Sequence, residues 1–305
     1  MEKQEREILI AEIRRLKEER QAVILAHNYC LSEVQDIADY TGDSLELARK
    51  AIEIEAPVIV FCGVYFMAET AKILNPGKQV LIPDPTAGCP MADMITADEL
   101  RDLKSKYPGA KAVCYVNSTA AVKAECDICV TSGNAEKVMT TLKGEEIVFV
   151  PDRHLGNHVA SQLGEKYICW PGCCPIHDRL ELADIAAGRR AAGAGAEVLV
   201  HPECGKAVRE ASDKCLSTGG MCRYVKESGK RTFVIGTEEG IRHRLEKENP
   251  EKKFIMIGDL VCADMKKITL EKIVRCLDDQ SPEVIVPSEI AEKAKKAIDA
   301  MLAVK

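Results

Sequence analysis

The sequence predicts an α/β protein made of three homologous αβα domains with parallel sheets, in a pseudo-threefold arrangement around one central site. Three observations predict it. Apolar runs of strand length alternate with amphipathic stretches along the chain, the pattern of parallel strands covered by helices on both faces. The runs form three sets in the same order, with corresponding points roughly 85 to 90 residues apart, longer than most solenoid periods and close to a small domain. Cys89, Cys174 and Cys262 each follow the last strand of a set at the same phase.

Residues 2–20 read as an amphipathic helix, because Ile8, Leu9, Ile13 and Leu16 recur near a 3.6-residue period among charges. The first strand, Ala22-Val-Ile-Leu-Ala-His27, exits through Asn28 and Tyr29. Residues 33–53 read as a helix with Ser32 as its N-cap and Gly42 as an interruption, followed by strands at 58–63 and 80–84 and a helix at 96–106. The second set opens with Ala112-Val-Cys-Tyr115-Val-Asn117-Ser118 and continues with a strand at 126–132, a helix at 134–142 and strands at 147–152 and 167–171. A helix at 180–192 leads to the third set, Glu197-Val-Leu-Val-His201-Pro-Glu203, with strands at 232–236 and 254–259 and helices at 238–248, 268–277 and 289–302. The expected domains are 1–108, 109–195 and 196–305, the first including the N-terminal helix and the third the C-terminal one.

Composition narrows the function. The chain has 305 residues, 46% of them apolar, and a net charge of −6 from 42 Lys and Arg against 48 Asp and Glu. No dense basic block suggests nucleic-acid binding. The apolar runs fall far short of the roughly 18 to 20 residues that span a bilayer, and the charged N-terminus is unlike a signal peptide, so the expectation is a soluble cytoplasmic protein without a membrane partner. Fourteen cysteines are scattered rather than set in a disulfide framework. Cys62, Cys114 and Cys169 lie inside apolar strands and read as small buried hydrophobes.

Ligands of parallel α/β folds lie beyond the carboxyl ends of the strands. His27, Asn28 and Tyr29 leave one such end, Tyr115 and Asn117 a second, His201 and Glu203 a third, and the three cysteine loops follow others. The predicted site lies between the domains. One thiolate from each domain suits a four-iron, four-sulfur cluster with one iron lacking a protein ligand; zinc and three unrelated buried cysteines are the alternatives. Cys126-Asp-Ile-Cys129 has no second pair at zinc-like spacing and reads as structural. Cys174 is preferred to Cys173 because Cys174-Pro175 matches Cys89-Pro90 in phase.

A set of motifs extends from residue 27 to 267: His27-Asn-Tyr29, Gly42-Asp-Ser44, Phe66-Met-Ala-Glu69, Cys89-Pro-Met-Ala92, Tyr115-Val-Asn-Ser118, Thr131-Ser-Gly-Asn-Ala135, Pro151-Asp-Arg153-His-Leu-Gly156, Cys174-Pro-Ile-His177, His201-Pro-Glu203-Cys, Ser217-Thr-Gly219 and Met265-Lys-Lys267. Together they resemble the quinolinate synthase family. The resemblance implies condensation of iminoaspartate with dihydroxyacetone phosphate to quinolinate, phosphate and water in NAD biosynthesis. It also implies a [4Fe-4S] cluster on Cys89, Cys174 and Cys262, and functional coupling to an aspartate oxidase or dehydrogenase that supplies iminoaspartate.

By the same resemblance, His27, Ser44, Tyr115, Val116, Asn117, Ser132, His201, Pro202, Glu203 and Thr218 bind substrate, with Val116 and Pro202 contributing backbone or packing. Glu203 is the expected general acid/base, Tyr29 a second proton donor or clamp, and His27 a further catalytic group. Thr218 is placed in a Gly-rich turn whose N–H groups could cradle an anion. His154, His158 and His177 read as structural or supporting, with His177 nearest the cysteine loop. The C-terminal Cys-x2-Cys of some family members is missing, since only Cys276 lies near the end. An aconitase-like hydratase would place two ligands in one Cys-x2-Cys, unlike this layout of one cysteine per repeat, and a radical enzyme would require Cys-x3-Cys-x2-Cys, which is absent.

Overall fold

A computed structural model describes residues 3–304. Twelve strands are described: β1 (Ala22–His27), β2 (Tyr40–Gly42), β3 (Val58–Cys62), β4 (Gln79–Leu81), β5 (Lys111–Tyr115), β6 (Ile128–Val130), β7 (Ile147–Val150), β8 (Ile168–Cys169), β9 (Glu197–Val200), β10 (Lys214–Cys215), β11 (Thr232–Gly236) and β12 (Lys253–Met256). They form three four-stranded sheets of the same order, β2-β1-β3-β4, β6-β5-β7-β8 and β10-β9-β11-β12. Every pairing within these sheets is parallel, and helices flank each sheet, so the protein is α/β with three αβα domains.

Chemistry as well as topology repeats. Where the second strand of each sheet begins, a carboxylate accepts a hydrogen bond from an early N–H of the first: Asp39 from Ile24 at 2.8 Å, Asp127 from Ala112 at 2.8 Å, Asp213 from Val198 at 2.7 Å. Each satisfies a main-chain donor at a point the short edge strand does not reach. The centres of the sheets are aliphatic and closed to solvent, as in β3, where all five residues are buried.

Residues 33–53 form two helices with a strand between them, not one interrupted helix: Ser32–Ile37, then β2, then Ser44–Glu53. Asp39 draws the chain onto β1, and Asp43 starts the next helix by accepting from the Leu45 and Glu46 N–H groups, while the Glu46 carboxylate accepts from Asp43 N–H. Helices Tyr65–Leu74, Arg153–Leu163 and Thr218–Glu227 were not anticipated. The first of these buries Phe66, Met67, Ala68, Thr70, Ala71 and Ile73, leaving no polar face to reveal its period.

The last two helices pack away from the third sheet. Leu270–Asp279 lies against Lys3–Glu19, and Ser288–Ala303 packs on β6 and on the short helix Ala120–Lys123. Arg20 donates to the carbonyls of Leu277 and Asp278 at 3.2 and 3.0 Å, closing the N-terminal helix on the first of this pair. No described helix is long and apolar enough to cross a membrane.

Candidate active site at the carboxyl ends of three sheets

Each of the three cysteines opens a one-turn 3-10 segment: Ala92–Met94 after Cys89, His177–Arg179 after Cys174, Met265–Lys267 after Cys262. Backbone N–H groups of the turn favour each thiolate, those of Ala92 and Met91 at Cys89, His177 and Ile176 at Cys174, and Met265 and Asp264 at Cys262. Buried carboxylates hold two of the loops from behind. Asp152 Oδ2 accepts from Cys174 N–H at 3.2 Å, and Glu238 Oε1 accepts from Cys262 N–H at 3.0 Å.

All three thiols line one cavity of about 380 Å³. Burial raises them all, Cys89 to about 12 with Glu203 and Cys262 adding to the shift, and Cys174 well above its usual value with Glu203 and Cys89 adding. Cys262 opposes ionisation of Cys89, and Cys89 that of Cys174, so a bound multivalent cation would favour the thiolates together. The donor set therefore fits an iron-sulfur group, whose potential is set partly by N–H bonds to sulfur.

Glu203 stands on the loop after β9, 3% exposed. Its Oε1 accepts from Tyr115 Oη at 2.6 Å and Oε2 lies 2.7 Å from His177 Nδ1. Burial opposes ionisation, yet His201, His177 and Tyr115 together hold the Glu203 carboxyl below the usual carboxylate range. His177 Nε2 lies 2.8 Å from Thr237 Oγ1, which in turn is 2.5 Å from Tyr29 Oη. An unbroken line of polar contacts thus joins Glu203 to Tyr29. Burial and the Glu203 charge both keep the Tyr29 phenol protonated.

His27 and His201 are matched across two domains. In each, Nδ1 accepts from the N–H two residues on, Tyr29 at 3.2 Å and Glu203 at 3.3 Å, which turns the ring into the cavity. Burial lowers both to about 3, so both are neutral imidazoles near pH 7. His201 Nε2 reaches Ser132 Oγ at 3.2 Å. Ser44 begins its helix at the rim, and Asn117 Oδ1 is buried without a partner among the described residues.

Of the residues expected at the site, His27, Tyr29, Ser44, Tyr115, Asn117, Ser132, His201, Glu203, Thr218 and the three cysteines line this cavity. Val116 and Pro202 do not. Val116 faces a smaller hollow beside Phe66 and Ala71, and the Pro202 carbonyl accepts from Arg209. Thr218 lies in the first turn of a helix rather than in a Gly-rich loop. The N–H groups beside it are already bonded, Gly219 to Asp43 Oδ2 at 3.2 Å and Gly220 to Ser217 Oγ at 3.1 Å, so they form no free anion cradle.

Sequence reasoning missed Thr237 and Glu238 and understated His177. Residues 238–248 read as helix, but the helix begins at Ile241 and Glu238 is buried, its Oε1 2.8 Å from Lys266 Nζ. The position of Thr237-Glu238 just beyond β11, where Pro151-Asp152 stands beyond β7, was the available signal. Lys266 also donates to the Tyr29 carbonyl at 2.8 Å, while Lys267 bonds Asp264 and the Thr86 carbonyl. Arg179 is the lone Lys or Arg side chain among the residues lining the cavity.

The family described as Quinolinate synthetase A protein matches residues 11–303. A Dehalococcoides mccartyi protein named quinolinate synthase is 52% identical over 98% of this chain and 99% of its own length. Proteins of the same name from Geobacter metallireducens and Methanoregula boonei are each 51% identical, over 96% and 97% of this chain and 96% and 98% of their own lengths. The similarity extends over nearly the full chain, so it includes all three sheets and the residues that line the cavity. The chain belongs to the quinolinate synthetase A family.

Proposed function

We propose that this protein is a quinolinate synthase that condenses iminoaspartate with dihydroxyacetone phosphate, forming quinolinate, phosphate and water for NAD biosynthesis. The observation that carries the reading is one cavity in which three equivalent cysteine turns face the Glu203–His177–Thr237–Tyr29 chain. Cys89, Cys174 and Cys262 would hold a [4Fe-4S] cluster. When bound, it supplies an iron without a protein ligand, a Lewis acid for a substrate hydroxyl or carboxylate. Matching sheet orders and cysteine turns support an approximate threefold arrangement of the domains around it.

The chain's own residues meet the remaining demands. Iminoaspartate carries two carboxylates and the triose a phosphate, so the site needs many hydrogen-bond donors. Ser44, Ser132, Thr218 and the neutral His27 and His201 supply them, with Arg179 as a charged contact. Asn117 Oδ1 accepts from a substrate N–H or O–H. Glu203, held ionised, takes protons during isomerisation and dehydration, while protonated Tyr29 donates them. His177 and Thr237 link the two groups, so a proton gained at Glu203 returns to Tyr29 without crossing open solvent.

Anaerobic incubation with iminoaspartate and dihydroxyacetone phosphate, with chromatographic detection of quinolinate, tests the reading; absence of quinolinate from iron- and sulfide-replete protein refutes it. Supply of iminoaspartate implies functional coupling to an aspartate oxidase or dehydrogenase. A cytoplasmic location belongs to the same proposal, since an open cluster and free thiols require a reducing compartment.

A further inference from the structure

The three cysteine turns share one 3-10 geometry but differ in the third residue after the cysteine. That residue is Ala92 in the first domain and Met265 in the third, but His177 in the second. The residue two places after the first strand's last cavity-facing position is likewise not equivalent: Tyr29 in the first domain, Asn117 in the second, Glu203 in the third. The two departures meet. One donor atom each from Cys174, His177 and Glu203 lies within 4.8 Å of the other two, and no other such group of three occurs among the described residues.

We propose that the cluster-free chain binds one zinc ion through Cys174 Sγ, His177 Nδ1 and a Glu203 carboxylate oxygen. His177 Nδ1 lies 3.3 Å from Cys174 Sγ and 2.7 Å from Glu203 Oε2. Tetrahedral zinc with bonds of about 2.0–2.3 Å spaces its ligand atoms roughly 3.3–3.7 Å apart. A small opening of the His177–Glu203 contact and closure of the Cys174–Glu203 pair, now within 4.8 Å, to that spacing would complete the geometry. Thr237 Oγ1, 2.8 Å from Nε2, can accept the Nε2–H once the metal displaces the proton that Nδ1 shares with Glu203, the outer-shell bond that ligating histidines require.

His177 and Glu203 are 2% and 3% exposed, which keeps the ligands dry, while the adjoining cavity leaves a fourth position for water. Binding releases to solvent the Cys174 thiol proton and the proton shared by His177 Nδ1 and Glu203 Oε2, and it changes no oxidation state. The zinc site shares all three of its ligands with the proposed reaction, Cys174 with the cluster and His177 and Glu203 with the proton path. Resting on that reading, zinc and the iron-sulfur cluster compete for Cys174, so zinc-loaded protein resists cluster assembly.

Cobalt reports the ligands directly. Metal-stripped, fully reduced protein is titrated anaerobically with Co²⁺ and then with Zn²⁺, following the thiolate-to-cobalt charge-transfer band and the visible d–d bands. One equivalent of cobalt, displaced by zinc, is expected. C174S loses the charge-transfer band, and H177Q and E203Q each weaken binding at least about tenfold. C89S, C262S and C126S retain both band and stoichiometry. The proposal is overturned by the absence of a band in the parent protein, by loss of the band in C89S, C262S or C126S, or by unchanged affinity in both H177Q and E203Q. Circular dichroism of each variant identifies any that do not fold, and the cysteine variants decide the question even if H177Q is lost. None of these readouts depends on quinolinate formation, so the two readings fail separately.

Discussion

Glu203 shows how much a single residue's role depends on its neighbours. Buried alone it would be protonated; Tyr115 and His177 hold it ionised through contacts of 2.6 and 2.7 Å. Glu203→Gln should keep full iron and sulfide while lowering kcat by about 10²-fold or more; parental turnover would exclude it as a proton-transfer group. His27 and His201 carry a prediction about acid. Both have pKa values lowered to about 3 by burial, so below the unfolded value of about 6.5 the unfolded chain binds protons that the folded chain does not. Stability is therefore present above that value and is lost as pH falls toward about 3, by about 1.4 kcal/mol per pH unit for each ring. His201→Asn should flatten this fall in a thermal-unfolding series from pH 7 to 4.

At the scale of elements, the cysteine turn is the repeated part. Its phase was legible because Cys89-Pro and Cys174-Pro follow apolar strands, and the paired N–H groups at each sulfur are the local geometry behind that phase. Cys89→Ser, Cys174→Ser and Cys262→Ser should each abolish the iron chromophore on anaerobic reconstitution, whereas Cys126→Ser should retain it. Cys126 Sγ donates to the Val122 carbonyl at 3.3 Å and lies outside the cavity lining. The repeated aspartates are a second such part. Asp213→Ala should cost ~1 kcal/mol in urea unfolding, by orphaning the Val198 N–H, without changing iron content. Elements were least legible where tertiary burial hides the period, as in Tyr65–Leu74, or where a side chain breaks a helix, as at Asp39.

Across the whole molecule, the cavity exists because domains press together at small residues. A Cβ at Gly219 would lie 2.5 Å from Asp43 Oδ2 and 2.8 Å from Glu46 Oε1, so only glycine lets the third domain's helix meet the first domain's. Asp43 joins them, capping its own helix and accepting from Ser217 Oγ and Gly219 N–H. Gly219→Ala should raise KM and lower kcat/KM at least about tenfold while circular dichroism stays native, because Ser44 and Thr218 move apart; unchanged kinetics would show that this seam does not shape the site. Sequence by itself determined the local and periodic features: the strands other than β2 and β10, their triplication, the three cysteines and the polar residues at strand ends, all of which follow from neighbours along the chain. Only the tertiary structure decided that His177 and Thr237 connect Glu203 to Tyr29, that Glu238 is buried, and that the Gly219 and Gly220 N–H groups are already bonded. The polar line and the Gly219–Asp43 bond join residues from different domains, while Glu238 and the Gly220 N–H find their partners within the third; the charge and hydrogen bonds each group carries are set by burial and by the folded surroundings.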